Sequence, residues 1–131
     1  MSIKLTVEQA LDAYTSCNEL IKKSFSAKTA IRLIRLQKEL EIPYQAFNKA
    51  KDDTIIKYSI KDENGETKVE NLEDGRSFVL IGLENREICA KELNEALAQE
   101  IEVSDIYFNE EDFGDEKISA EYLIGLLPFI K

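Results

Sequence analysis

The chain has 131 residues, 44% of them apolar and 33% charged, a composition that fits one globular domain with a wet surface. It has no histidine, which excludes His-based acid–base chemistry, Ser-His-Asp and Cys-His nucleophilic sites, and His-ligated metals. The net charge of −9 is unevenly placed: residues 1–58 carry +3 and residues 59–131 carry −12, a balance that discourages phosphate backbones and favours a basic partner.

The first element is announced by Thr6 and Gln9, spaced as a capping box. Val7, Leu11, Tyr14 and Ile21 then recur at helical spacing, with Ala10, Cys17 and Leu20 beside them, which predicts a helix over 7–23. Ser24-Phe25-Ser26 reads as a short connection, with Ser26 placed to cap the next helix. The second stripe runs through Ala30, Leu33, Leu36, Leu40, Tyr44, Phe47, Thr54 and Tyr58. Pro43 interrupts it without shifting its phase, so the expectation is a helix kinked near Glu41–Ile42 rather than ended there. Two helices joined by so short a link should pack antiparallel, as a hairpin.

Beyond Tyr58 the pattern changes. Asn64-Gly65 lies between Tyr58/Ile60 and Thr67/Val69, and Glu73-Asp74-Gly75-Arg76 precedes the run Phe78-Val79-Leu80-Ile81, so a small β-element is expected within 58–82. A third helix is expected over about 84–98, through Ile88, Cys89, Leu93, Ala96 and Leu97. Ile101, Val103, Ile106 and Phe108 suggest one extended segment, and Ser119 stands where it can cap a last helix over 120–127, before Pro128. The fold class expected is α+β, mainly α: a helical hairpin in 1–58, then an acidic β-hairpin and helix portion in 59–131, all in a single domain.

Four features carry functional expectations. The acids around Asn64-Gly65 do not have calcium-loop spacing, since Gly65 stands too close to Asp62, and they read as a turn. Glu110, Glu111, Asp112, Asp115 and Glu116 form an acidic loop, read as solvated or as a contact for a basic partner. Lys28, Arg32, Arg35 and Lys38 form a basic ridge on the second helix; without aromatic or glycine-rich reinforcement it argues only weakly for nucleic acid. The stripe of the second helix reads mostly as core, but Leu33, Leu36, Leu40, Tyr44 and Phe47 make it wider than one neighbouring helix need cover, which suggests that part of this face is left for a partner chain or a second copy. Cys17 and Cys89 read as buried thiols, and two distant cysteines make no structural zinc site alone. No apolar run approaches the roughly 20 residues that span a bilayer, and Met1-Ser2-Ile3-Lys4 carries no signal-peptide core. The expectation is therefore a cytoplasmic protein with a protein partner and without enzymatic activity, cofactor, metal, membrane contact or small-molecule substrate.

The order of features carries a resemblance. A capped helix leads into Leu33-Ile34-Arg35-Leu36-Gln37-Lys38-Glu39-Leu40-Glu41. Ile55-Ile56-Lys57-Tyr58 then runs into Lys61-Asp62-Glu63-Asn64-Gly65, and after it come Lys91-Glu92-Leu93-Asn94-Glu95 and Glu100-Ile101-Glu102-Val103. This resembles an uncharacterised family of small proteins encoded by phages and prophages of Gram-positive bacteria; Pro43 and the longer 66–82 stretch depart from its pattern. The resemblance implies a phage accessory role, either an inhibitor of a host defence or replication protein or a virion assembly factor, and transfers no catalytic residue.

Overall fold

The structure is a computed structural model and describes residues 2–131. In chain order its elements are β1 (Ser2–Thr6), α1 (Val7–Leu20), α2 (Ala27–Lys57), β2 (Val69–Asn71), β3 (Ser77–Val79), α3 (Leu83–Leu97), β4 (Glu100–Ser104), a 3-10 turn (Glu110–Phe113), α4 (Ala120–Gly125) and a second 3-10 turn (Leu127–Phe129). The class is α+β, mainly α. The chain divides into two compact units, one built from residues up to Ala46 together with Ala98–Lys131, the other from Phe47–Leu97. That division differs from the expected one at residue 58, because α2 contributes to both units.

In the first unit, Thr6 accepts from the Gln9 amide at 3.2 Å and the Gln9 side chain accepts from the Thr6 amide at 2.9 Å, the capping box anticipated from sequence. The helix it starts ends at Leu20, three residues short of expectation, in a turn where Lys23 donates to the Leu20 carbonyl. Ser26 caps α2 by accepting from the Thr29 amide. α2 runs unbroken through Pro43. Its first half opposes α1 in antiparallel sense: Tyr14 stacks on Tyr44 with ring centroids 4.3 Å apart, and Gln37 donates to Asn18 at 2.6 Å.

A tighter neighbour of α1 was not foreseen. α4 approaches α1 so closely that a Cβ on Gly125 would meet the Ser16 hydroxyl and come within 2.8 Å of the Asp12 carbonyl oxygen. β1, also unforeseen, pairs antiparallel with β4, Ser2 opposite Ser104 and Thr6 opposite Glu100. Ile3 and Leu5 on one strand and Val103 on the other turn inward, onto a core shared with Ala10, Ala13, Cys17, Leu20, Leu33, Leu36, Leu40, Ile106, Phe108, Phe113, Leu126 and Phe129. Burying each large aliphatic side chain contributes roughly 1.5–3 kcal/mol, so this cluster is the main source of the unit's stability.

The second unit has a different character. Ser59 and Cys89 are its only buried residues among those described. Two tight turns shape it, and both have the same build. Gly65 donates to the Asp62 carbonyl and Asp62 donates to the Glu66 carbonyl; Gly75 donates to the Leu72 carbonyl and Leu72 donates to the Arg76 carbonyl. Each glycine sits at positive φ, +79° and +88°, which gives a three-residue hairpin loop with a left-handed last position rather than a two-residue one. Three backbone bonds then close a ring among the segments: Ile60 donates to Leu80, Leu80 to Lys68, and Lys68 to Ile60. The ring ties β2 and β3 to the segment just after α2, and Lys57 pairs with Glu92 of α3 at 3.0 Å.

Candidate interaction surfaces

The acidic loop and the basic ridge are partly wired to each other. Arg32 leaves the ridge to donate to Asp112 at 2.6 Å and to the Tyr107 carbonyl at 2.8 Å, its guanidinium 5.2 Å from the Phe108 ring centre. Asp112 also closes the first 3-10 turn by accepting from the Asn109 amide at 2.8 Å, while its own carbonyl accepts from Thr29. Burial acts to raise its pKa, but the Asn109 amide and the Arg32 guanidinium outweigh it and hold the carboxyl below the usual carboxylate range. Asp112 and Arg32 are therefore structural. Lys28, Arg35 and Lys38 remain exposed, a ridge with its middle withdrawn, and Glu110, Glu111, Asp115 and Glu116 face solvent.

The stripe on α2 divides similarly. Leu33, Leu36 and Leu40 are 0% exposed and offer no surface to a partner or a second copy. Tyr44 is half-buried against Tyr14, and Phe47, half-buried, belongs to the second unit. The helical face expected to bind is mostly the core, because β1, β4 and the C-terminal turns cover what α1 does not.

Exposed apolar surface lies elsewhere. In the second unit Ile55, Ile56, Val69, Phe78, Val79 and Ile81, with Asp52 at the rim, line an open groove of about 480 Å³. Phe78 is 45% exposed, and Ile56, Ile60, Val69 and Leu72 are also exposed. The cross-strand pairs explain the groove: Val69 opposes Val79 and Asn71 opposes Ser77, so these side chains share one hairpin face, and that face has no core behind it. The run Phe78-Val79-Leu80-Ile81 was the sequence signal, but an apolar run reads first as core.

Asp52 is the one charged residue that lines this groove, and acidic side chains exceed basic ones in the unit around it. Five of the 26 acidic side chains sit in ion pairs, with Lys22, Arg32, Lys49, Lys57 and Arg76. In the second unit Glu63, Glu66, Glu70 and Glu73 are exposed and outside any ion pair among the described residues. Among the described residues no His, Cys, Asp and Glu side chains converge in a group that could hold a metal ion, and no helix is long and apolar enough to cross a membrane. Both cysteines are buried and free. No family model, curated protein or solved structure matches this chain.

Proposed function

We propose that this chain is a non-catalytic protein-binding accessory protein of phage type, one that engages a host protein of basic surface and inhibits it by occupancy. The observation that carries the reading is the groove between Ile55/Ile56 and the β2–β3 hairpin face of Val69 and Val79, with Phe78 in its lining. Contiguous exposed apolar surface ringed by charge is the usual anatomy of a protein interface, with the apolar centre supplying affinity and the rim steering the approach. Exposed carboxylates on Glu63, Glu66, Glu70 and Glu73 favour a cationic partner, such as a groove that otherwise holds nucleic acid.

The test is retention of host proteins on the immobilised chain, compared with Phe78→Asp and Val69→Asp variants. Both positions are about half exposed, so the variants should fold. The reading expects one or more proteins held by the wild type at low salt, released by salt, and lost by both variants. Identical retention by wild type and variants would refute it.

A further inference from the structure

We propose that the outer edge of β4 is a second binding site, which takes an extended peptide segment of alternating apolar and basic residues as an added strand. This rests on the reading of the chain as a protein-binding module, but it uses the first unit and none of the residues of the groove at Phe78.

The register of the β1–β4 ribbon fixes which backbone groups face outward. Val7 donates to the Gln99 carbonyl at 2.9 Å, so the hydrogen-bonded pairs are Val7 with Gln99, Leu5 with Ile101 and Ile3 with Val103. The alternate residues, Thr6 and Lys4 on β1 and Glu100, Glu102 and Ser104 on β4, point their N–H and C=O groups away from the ribbon. The fold satisfies two of these with side chains. Gln9 takes the Thr6 amide, and Glu39 of α2 takes the Ser104 amide at 2.9 Å. The amides of Glu100 and Glu102 find no partner among the described residues. Glu39 thus shows where an acceptor sits on this edge, and two residues further along the strand the place is open.

A floor lies beside that open stretch. Ser2, Glu39, Ile42, Pro43 and residues 101–104 line a groove of about 630 Å³, and Ile42 is 73% exposed within it. A strand laid along β4 would send alternate side chains onto Ile42 and Pro43, which suits apolar residues. The others would lie beside Glu100 and Glu102 on the solvent face of the ribbon. Glu102 accepts from the Ser2 hydroxyl at 3.2 Å and stands opposite Lys4, and among the described residues neither carboxylate is in an ion pair. Main-chain bonds supply affinity in this mode of recognition and alternating pockets supply specificity. A second copy of this chain fits poorly, because two β4 edges brought together antiparallel would set the carboxylates of one against those of the other.

The probe is a fluorescein-labelled heptapeptide, Lys-Val-Lys-Val-Lys-Val-Lys, blocked at its C-terminus and titrated at low ionic strength with the full chain. Anisotropy should show saturable binding, weakened about tenfold or more by Glu102→Lys and by Ile42→Asp and unchanged by Phe78→Asp. Both weakening variants alter exposed side chains, and unchanged circular dichroism will show that they fold. Two further peptides carry N-methyl groups on the lysines or on the valines. A strand partner loses binding with one set and keeps it with the other, since only alternate amides face β4. Absence of binding, equal loss with both methylated sets, or indifference to Glu102→Lys and Ile42→Asp would overturn the proposal. So would a wild-type dimer in light scattering that Glu102→Lys converts to monomer, which would assign the edge to a second copy. Loss of the peptide with Phe78→Asp would transfer it to the other groove, whereas the host-protein retention test does not depend on any of these results.

Discussion

Arg32 reaches across 80 residues of sequence to bind Asp112 at 2.6 Å, and that pair fixes the acidic turn to the second helix. Both side chains are mostly buried, with 23% and 16% exposure, so removing one partner strands the other in a poorly solvated place. Asp112→Asn should cost about 2 kcal/mol at neutral pH, read from denaturant midpoints. The pH dependence comes from the lowered pKa of Asp112. A carboxyl held below its unfolded value contributes stability that is present above that value and lost as pH falls through the folded one. The gap between wild type and Asp112→Asn should therefore be widest at pH 6–7, begin to narrow near the unfolded value of about pH 4, and close only below the lowered folded value. A gap that stays constant from pH 7 to pH 3 would show that the pair contributes nothing as an ion pair.

Gly125 is required for space. Its φ is ordinary, yet a methyl group there would collide with the Ser16 hydroxyl and come within 2.8 Å of the Asp12 carbonyl oxygen; the hydroxyl can rotate aside, but the carbonyl cannot move without shifting α1. Gly125→Ala should destabilise by about 1–3 kcal/mol through overpacking. Its neighbour Ile124 is 64% exposed, and Ile124→Ala should fall within about 0.5 kcal/mol of wild type. Thermal unfolding of the two variants side by side checks the contrast.

These two contacts show where sequence reading stops. The capping box at Thr6 and Gln9 and the glycines that close the turns at 62–66 and 72–76 were legible, because each depends on residues within four positions of one another. β1 was missed because Ile3 and Leu5 give only two beats of a period-2 pattern, too few to separate from noise. Leu33, Leu36 and Leu40 were legible as part of an apolar stripe that is mostly core; that its whole width at these three is covered was not legible, since what covers them (β4, Phe108, Phe129) lies about 60 to 96 residues away. The same distance hid the withdrawal of Arg32 from its ridge. Of the two candidate binding sites, only the alternation Glu100-Ile101-Glu102-Val103 and the run at Phe78 left marks in the sequence. Neither mark says which side of a strand stays unpaired.

Cys17 is wholly enclosed, and burial pushes its thiol up to about 12. The thiolate is the reactive form, so at pH 8 the native side chain should be nearly inert to a disulfide reagent. Modification of Cys17 should then track global unfolding and accelerate in step with denaturant. Fast labelling of Cys17 in the native state would mean that α1 opens independently of the core.

Cys89 offers the complementary measurement, because its unit lacks the leucine and phenylalanine cluster that secures the first. Local opening is least costly where few apolar contacts must be broken, and in the second unit Leu83 is largely in solvent and Ile88 and Phe78 are about half exposed, while the backbone ring through Ile60, Lys68 and Leu80 supplies much of the order. Amides of α3 should therefore exchange faster than those of α1, and Cys89 should label well before Cys17. A partner filling the groove at Phe78 would cover that apolar face and stabilise the unit by mass action, slowing both processes in proportion to its concentration over its Kd. Equal protection of α1 and α3 in the free chain would show that the second unit is held by more than its visible contacts, and the groove would then lose its strongest reason for needing an occupant.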